Sequence, residues 1–197
     1  MEKMASFTSD KEPMQDILKL VSTGKIQLPE FQRGFVWNDT HIRSLLASLS
    51  LSYPIGAVMM LETGNPDVRF KPRPIEGVEL NEKIEPERFI LDGQQRLTSL
   101  YQTLYSGKVV KTQNDRKQDI KRWYFFDMVK CLDPKSDREE AIISLPEDKI
   151  TRNFRNEVQA DYSMVEAEYE HMLFPVWQLL SPADWRREFN EYWQHSK

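Results

Sequence analysis

Ile90-Leu91-Asp92-Gly93-Gln94-Gln95-Arg96-Leu97-Thr98-Ser99-Leu100 decides how this chain folds. Its first residues close the apolar run Arg88-Phe89-Ile90-Leu91, which has the length of a buried strand. Asp92-Gly93 breaks the run, and glycine permits the tight turn that a strand needs before a helix. Leu97, Leu100, Tyr101 and Leu104 then recur at helical spacing, and Gly107 is a stop signal. A strand, a turn and a helix in that order are the unit of mixed α/β domains.

Working upstream, Met14, Ile17, Leu18 and Val21 predict a helix over Pro13 to Thr23, with the proline in its first turn. Lys25 to Leu28 reads as a short strand. Asn38 is the expected N-cap of a second helix running to about Ser50, with Ile42, Leu45, Leu46 and Leu49 on one face. Ile55 to Leu61 is a continuous apolar run, expected as a buried strand. Glu62 to Glu87 is a polar excursion broken by Pro66, Pro72, Pro74 and Pro86, with room for a short hairpin.

Downstream, Lys108 to Arg122 is charged and expected to be exposed. Trp123 to Phe126 and Ile142 to Leu145 are strand candidates on either side of a charged turn, Asp133 to Glu140. Leu173 to Trp177 suits an edge strand. Ser181-Pro182-Ala183-Asp184 opens a last helix, which meets no stop signal before Lys197, so the chain is expected to continue or to be a truncated piece. The fold class expected is α/β (α+β), a small mixed sheet flanked by helices. Residues 1–165 form the main domain and 166–197 a C-terminal helical extension.

The turn at Asp92 carries chemistry. The N–H groups in a helix's first turn have no intrahelical partner and carry partial positive charge, which makes them an anion seat. Two readings stay open. Asp92 with Gln95 three residues on has the spacing of a capping box, which needs no ligand. Arg96 favours the other reading, because a cation in the first turn opposes the helix dipole by about 0.3–1 kcal/mol and a bound phosphate reverses that sign. Gln94 and Gln95 add neutral donors and acceptors. Thr98 and Ser99, one turn on, either face the ligand or bond back into the helix. Upstream, Phe31-Gln32-Arg33-Gly34-Phe35-Val36-Trp37 is either a core strand with one snorkelling arginine or the source of a second guanidinium for the same anion.

The bulk of the chain narrows the classes. Its 197 residues are 40% hydrophobic and 29% charged, an ordinary globular mixture. A net charge of −4 leaves no whole-molecule attraction to DNA, so any contact there needs a local basic patch. Arg69, Lys71 and Arg73 alternate but read first as a solvated loop. Cys131 is the single cysteine, which excludes an internal disulfide, and it is expected as a buried free thiol. His41, His171 and His195 lack metal-ligand spacing. There is no P-loop and no G-x-G-x-x-G. The N-terminus has no apolar signal region and no run is long enough to span a bilayer, so the expected location is cytoplasmic, without a membrane partner.

LPEFQRGFVW, then YPIG, then FILDGQQRLTSLY together closely resemble the N-terminal domain family of GmrSD-type restriction endonucleases. The likeness covers Ile17 to Tyr105 well and extends more loosely over WYFFD (123–127) and FPVWQLL (174–180). Phe35 stands where many relatives carry tyrosine. The resemblance implies a ParB/sulfiredoxin-like core that binds and hydrolyses a nucleoside triphosphate with Mg²⁺. Asp92, Gly93, Gln94, Gln95 and Arg96 would form the site, faced by Gln32 and Arg33, with Thr98 beside it. Asp92, Gln95 and Arg96 would be catalytic, with Asp92 orienting Mg²⁺ or a water, or else only capping the helix. It further implies an HNH-type nuclease domain in the full-length protein, acting on phage DNA that carries modified bases or backbone. The chain itself is not expected to cut DNA. A non-catalytic DNA- or protein-binding module of the same fold is the alternative.

Overall fold

The computed structural model describes residues 9–64 and 69–195. α1 (Met14–Ser22) buries Leu18 and Val21, the inner face that its spacing predicts, and Pro13 caps it from just outside. β1 (Ile26–Pro29) is buried along its whole length. α2 (Asp39–Ser50) starts where expected, with Asn38 Oδ1 accepting from His41 N at 3.0 Å. Asn38→Ala is expected to lower stability by about 0.5–2 kcal/mol, read as a lower denaturant midpoint with an unchanged slope.

β2 (Met59–Glu62), β3 (Pro72–Arg73) and β4 (Arg88–Asp92) complete a mixed sheet in the order β2-β4-β1-β3. β4 runs parallel to β1 and antiparallel to β2, and β3 is antiparallel to β1. The buried strand expected over Ile55–Leu61 needs correcting. Strand geometry starts only at Met59, β2 is an edge strand, and Met59 is half-exposed. Gly56, at φ +88, breaks the run ahead of it. The polar excursion does contribute a strand, β3, and buries Ile75 fully. Residues 65–68, with Pro66 among them, lie outside the described residues.

α3 (Gln94–Leu100) passes directly into a π-helical turn, Tyr101–Tyr105, which ends before Gly107. Ser99 Oγ, Thr103 Oγ1 and Ser106 Oγ each donate to the carbonyl four residues back, at 2.7–2.8 Å. Such back-bonding competes for the helical carbonyls where the ladder widens. The helical run packs on α1 and buries Leu97, Leu100 and Leu104 beside Ile26, Ile42 and Ile90.

A second sheet follows. β5 (Val110–Gln113) and β6 (Asp119–Asp127) form a hairpin, α4 (Met128–Leu132) comes next, and β7 (Ile142–Pro146) pairs with β6. Lys108 to Arg122 is largely exposed, as expected, but it is built as a hairpin: Val110 and Thr112 point inward while Lys111 between them is exposed. Tyr124 and Ser144 donate to Asp39 Oδ1 at 2.8 and 2.6 Å, tying the start of α2 to this sheet. Burial, then Asp39, pushes the Tyr124 hydroxyl far above its ordinary value. Cys131 is half-buried rather than buried.

β8 (Ile150–Arg152) and β9 (Val158–Asp161) make a separate hairpin, followed by α5 (Val165–Glu170). β10 (Leu173–Pro175) pairs antiparallel with the far end of β6, so the segment expected as an extension adds a strand to the second sheet. α6 (Ala183–His195) lays Trp185 against Phe174 and Tyr169. The expected run of this helix to Lys197 reaches past the described residues. Lys149 Nζ sits 5.5–5.6 Å from the rings of Trp123, Phe125 and Trp177, and 2.6 Å from Glu168 Oε1. The α+β class read from the sequence is what forms. Among the described residues no helix is long and apolar enough to cross a membrane.

Candidate functional site

Gly93 occupies the N-cap of α3 in the left-handed region, φ +87, and no side chain caps the helix. The capping box open to Asp92 and Gln95 therefore does not form. A Cβ on Gly93 would lie 3.1 Å from Val58 Cγ2 and 3.3 Å from the Ala57 carbonyl, so glycine lets the turn pass under the 57–58 loop.

The glutamines of the turn reach into the 31–37 loop. Gln95 Oε1 accepts from Val36 N and Trp37 N at 2.8 and 3.2 Å, and its Nε2 donates to the Gly34 carbonyl at 3.0 Å. Gln94 Nε2 donates to the Arg33 carbonyl at 2.7 Å. In return, Gln32 Nε2 donates to the carbonyls of Ile90 at 2.6 Å and Leu91 at 3.2 Å. Side chains thus take the bonds a ladder would have made, and Phe31–Trp37 is a pinned loop rather than a core strand. Arg73 braces it from behind. Its Nη1 pairs with Glu76 at 2.7 Å, and its Nη2 reaches the carbonyls of Gln32 and Arg33 at 3.4 and 3.3 Å. Glu76 Oε1 also accepts from Phe35 N at 3.1 Å.

The two arginines differ. Arg96 Nη1 and Nη2 donate to the carbonyls of Ile55 and Ala57, both at 2.9 Å, which explains how a cation is tolerated in the first turn. Asp92 stands 4.0 Å away, but its side chain is 77% exposed and that contact is largely screened. Gly56 makes room for the guanidinium: a Cβ there would fall 1.7 Å from Nη1. Arg33 is exposed and its guanidinium makes no hydrogen bond or ion pair among the described residues.

Between loop and turn lies a cavity of about 560 Å³. Gln32, Arg33 and the whole Asp92–Arg96 turn line it, so the two sequence signals do converge. Thr98 is not among the lining residues: it is fully buried, with Oγ1 unbonded. Ser99 bonds back to Gln95. The sequence reading left Phe31, Trp37 and Leu91 without a role, yet they supply the cavity's apolar wall. Phe31 and Leu91 are 71% and 38% exposed, and large apolar groups left in water beside a polar cleft are the signal that a sequence alone does not display. The lining charge is two guanidiniums and the helix N–H groups against one carboxylate, an arrangement suited to an anion with an apolar part. Among the described residues no cluster of three or more His, Cys, Asp or Glu side chains could hold a metal. Asp92 alone can contribute one ligand to an Mg²⁺ shared with phosphates, which is how that ion is often bound.

Comparison with known proteins agrees with the resemblance. The chain is 31% identical over 196 residues to an uncharacterized protein of Methanocaldococcus jannaschii, an alignment covering 94% of this chain and 32% of that relative. The chain thus spans about a third of the length of the curated relative it matches. The family model described as GmrSD restriction endonuclease, N-terminal domain, matches residues 14–190, and the chain belongs to that family.

Proposed function

We propose that the chain is a nucleoside-triphosphate-binding and -hydrolysing regulatory domain of a modification-dependent restriction system directed at phage DNA. Family membership supports the restriction context. The nucleotide reading rests on one observation above all: Arg33, whose guanidinium has no partner among the described residues, lines the same cleft as the residues Gly93, Gln94 and Gln95 that open α3. Phosphates at the helix N-terminus satisfy the N–H groups there and Arg33 together. The base then lies toward Phe31, Trp37 and Leu91.

Roles divide by what each side chain is free to do. Gln94, Gln95 and Gln32 spend their amides on backbone, so they position the loop that carries Arg33. Arg96 positions the turn. Asp92 is the carboxylate left to orient a water or to hold Mg²⁺, which supplies charge neutralisation on the phosphates when bound. Hydrolysis would bias a two-state element that a nuclease domain elsewhere in the full-length protein reads.

Arg33→Ala tests this most cleanly, because Arg33 supports nothing else. Titration with ATP, GTP, CTP and UTP in Mg²⁺ is expected to show saturable binding that weakens by about tenfold or more in the variant, with phosphate release in the wild type. Binding without release favours the non-catalytic module. No binding of any of the four removes the proposal.

A further inference from the structure

A second cavity, about 870 Å³, opens between the Phe35–Trp37 segment, the Glu76–Gly77 turn and the β5–β6 hairpin. Trp37 lines both cavities. One wall is apolar, made by Phe35, Trp37, Val109, Ile120 and Pro146. Most lining charges are already matched. Lys108 pairs with Glu79 at 2.7 Å, Lys121 with Glu147 at 2.8 Å, and Glu76 with Arg73. Asp119 accepts from Gln113 Nε2 at 3.2 Å.

Arg122 is the exception. It is half-buried opposite Val110, and its guanidinium has no hydrogen bond or ion pair among the described residues, with Nε shielded from solvent. A partly desolvated cation without an acceptor is costly. Lys111, also lining the cavity, makes no side-chain hydrogen bond or ion pair among the described residues, though its charge acts on Glu79. The missing counterpart is an anion beside an apolar surface. Glu76 is another lining residue, and its Oε2, shielded from solvent, has no hydrogen-bond partner among the described residues. A planar ring bearing amino or imino N–H groups and one phosphate meets all three demands, whereas a simple aromatic carboxylate leaves Glu76 unmet. Engaging Arg122 takes a rotamer shift of its long side chain, while Glu76, whose Oε1 is held by Arg73 and Phe35 N, can offer Oε2 only by a small turn of the carboxylate.

We propose that this cavity binds a single nucleotide unit, its base on the Phe35–Trp37 wall and its phosphate at Arg122. A free mononucleotide and a nucleotide turned out of a strand present the same chemistry. The proposal does not depend on a triphosphate at the other cavity.

The test follows the intrinsic tryptophan fluorescence of the whole chain while AMP, GMP, CMP, UMP, the parent nucleosides and a single-stranded oligonucleotide are titrated. At least one mononucleotide or the oligonucleotide is expected to saturate, with binding about tenfold or more weaker in Arg122→Met and in the cavity-filling Val109→Trp, and within about twofold of wild type in Arg33→Ala. Should Arg122→Met fail to fold, Val109→Trp still decides. Tighter binding of the oligonucleotide names a strand as the source, and equal binding names the free nucleotide. No saturation by any probe overturns the proposal, as does binding that Arg33→Ala abolishes while Arg122→Met and Val109→Trp leave it intact. The latter result assigns it to the first cavity.

Discussion

Gly56→Ala is expected to destabilise the fold by about 3–5 kcal/mol and to release Arg96 from the 55–57 loop. Two effects combine. Gly56 sits at φ +88, where a Cβ is strained by about 1–2 kcal/mol. The same Cβ would stand 1.7 Å from Arg96 Nη1 and 2.9 Å from Cζ, so the guanidinium must leave. With it go two hydrogen bonds from a charged donor to the carbonyls of Ile55 and Ala57, each of about 1.5–3 kcal/mol. Both bonds come from one guanidinium and the one to Ala57 is solvent-exposed, so their losses do not add in full and the total stays at about 3–5 kcal/mol. Chemical denaturation measures the loss, and a cycle with Arg96→Ala measures its cause. If Gly56 acts through Arg96, the double variant is much less destabilised than the two single losses added. Full additivity would mean that backbone strain alone sets the effect, and the latch would have to be given up. The same reasoning makes Arg96→Ala a poor probe of ligand binding, since it loosens the scaffold as well as the cleft.

How much of this was legible in the sequence depends on which force placed each element. α1, α2 and the β4–α3 unit bury one apolar face each, and their periodicity carried through: Leu18, Ile42, Ile90 and Leu97 all lie in one core. The β5–β6 hairpin was hidden because Lys111 and Lys121 crowd its outer face, while Arg122, cross-strand from Val110, interrupts the inner one beside Thr112 and Ile120. Charge on the outer face masked a period of two. Ile55–Leu61 misled in the opposite direction. Its apolar residues are real, but Gly56 takes a conformation closed to other residues, and the carbonyls around it serve a side chain instead of a neighbouring strand.

At the site, the segments named from the sequence meet in one cleft, and their glutamines have a second task that the sequence did not display. Gln32, Gln94 and Gln95 line that cleft, and their amides also bolt the two loops together. That role depends on backbone atoms of the other segment, some sixty positions away, which no local pattern encodes. Arg96 raised the suspicion of an anion because it opposes the helix dipole, and the opposition is relieved by carbonyls that were read as part of a strand. Arg33, the weaker candidate on spacing, is the lining guanidinium that has no partner among the described residues.

Lys149→Met is expected to lower stability by about 3–5 kcal/mol at neutral pH, and the loss is expected to shrink in acid. The carboxylate of Glu168 is 4% exposed, and Lys149 at 2.6 Å is its charged partner. Burial is the largest influence on that carboxyl and holds it above its ordinary value, while the lysine pulls it down. Removing the lysine leaves burial unopposed, so the carboxyl rises further. A group raised in the folded state favours folding below its unfolded value, and that advantage disappears as pH climbs through the folded one. The variant must therefore recover part of its deficit as pH falls, because Glu168 can then take a proton and stop being a bare buried charge. Lys149 also lies near three aromatic rings, contacts of about 0.5–2 kcal/mol each that do not titrate with Glu168. Unfolding curves at two pH values separate the contributions, and Lys149→Met combined with Glu168→Leu isolates the charge. If the orphaned carboxylate dominates, the double variant regains most of the stability, because an apolar pair of similar volume often replaces a buried ion pair without loss. A deficit that ignores pH and survives in the double variant would assign the stabilisation to the rings around the ammonium instead.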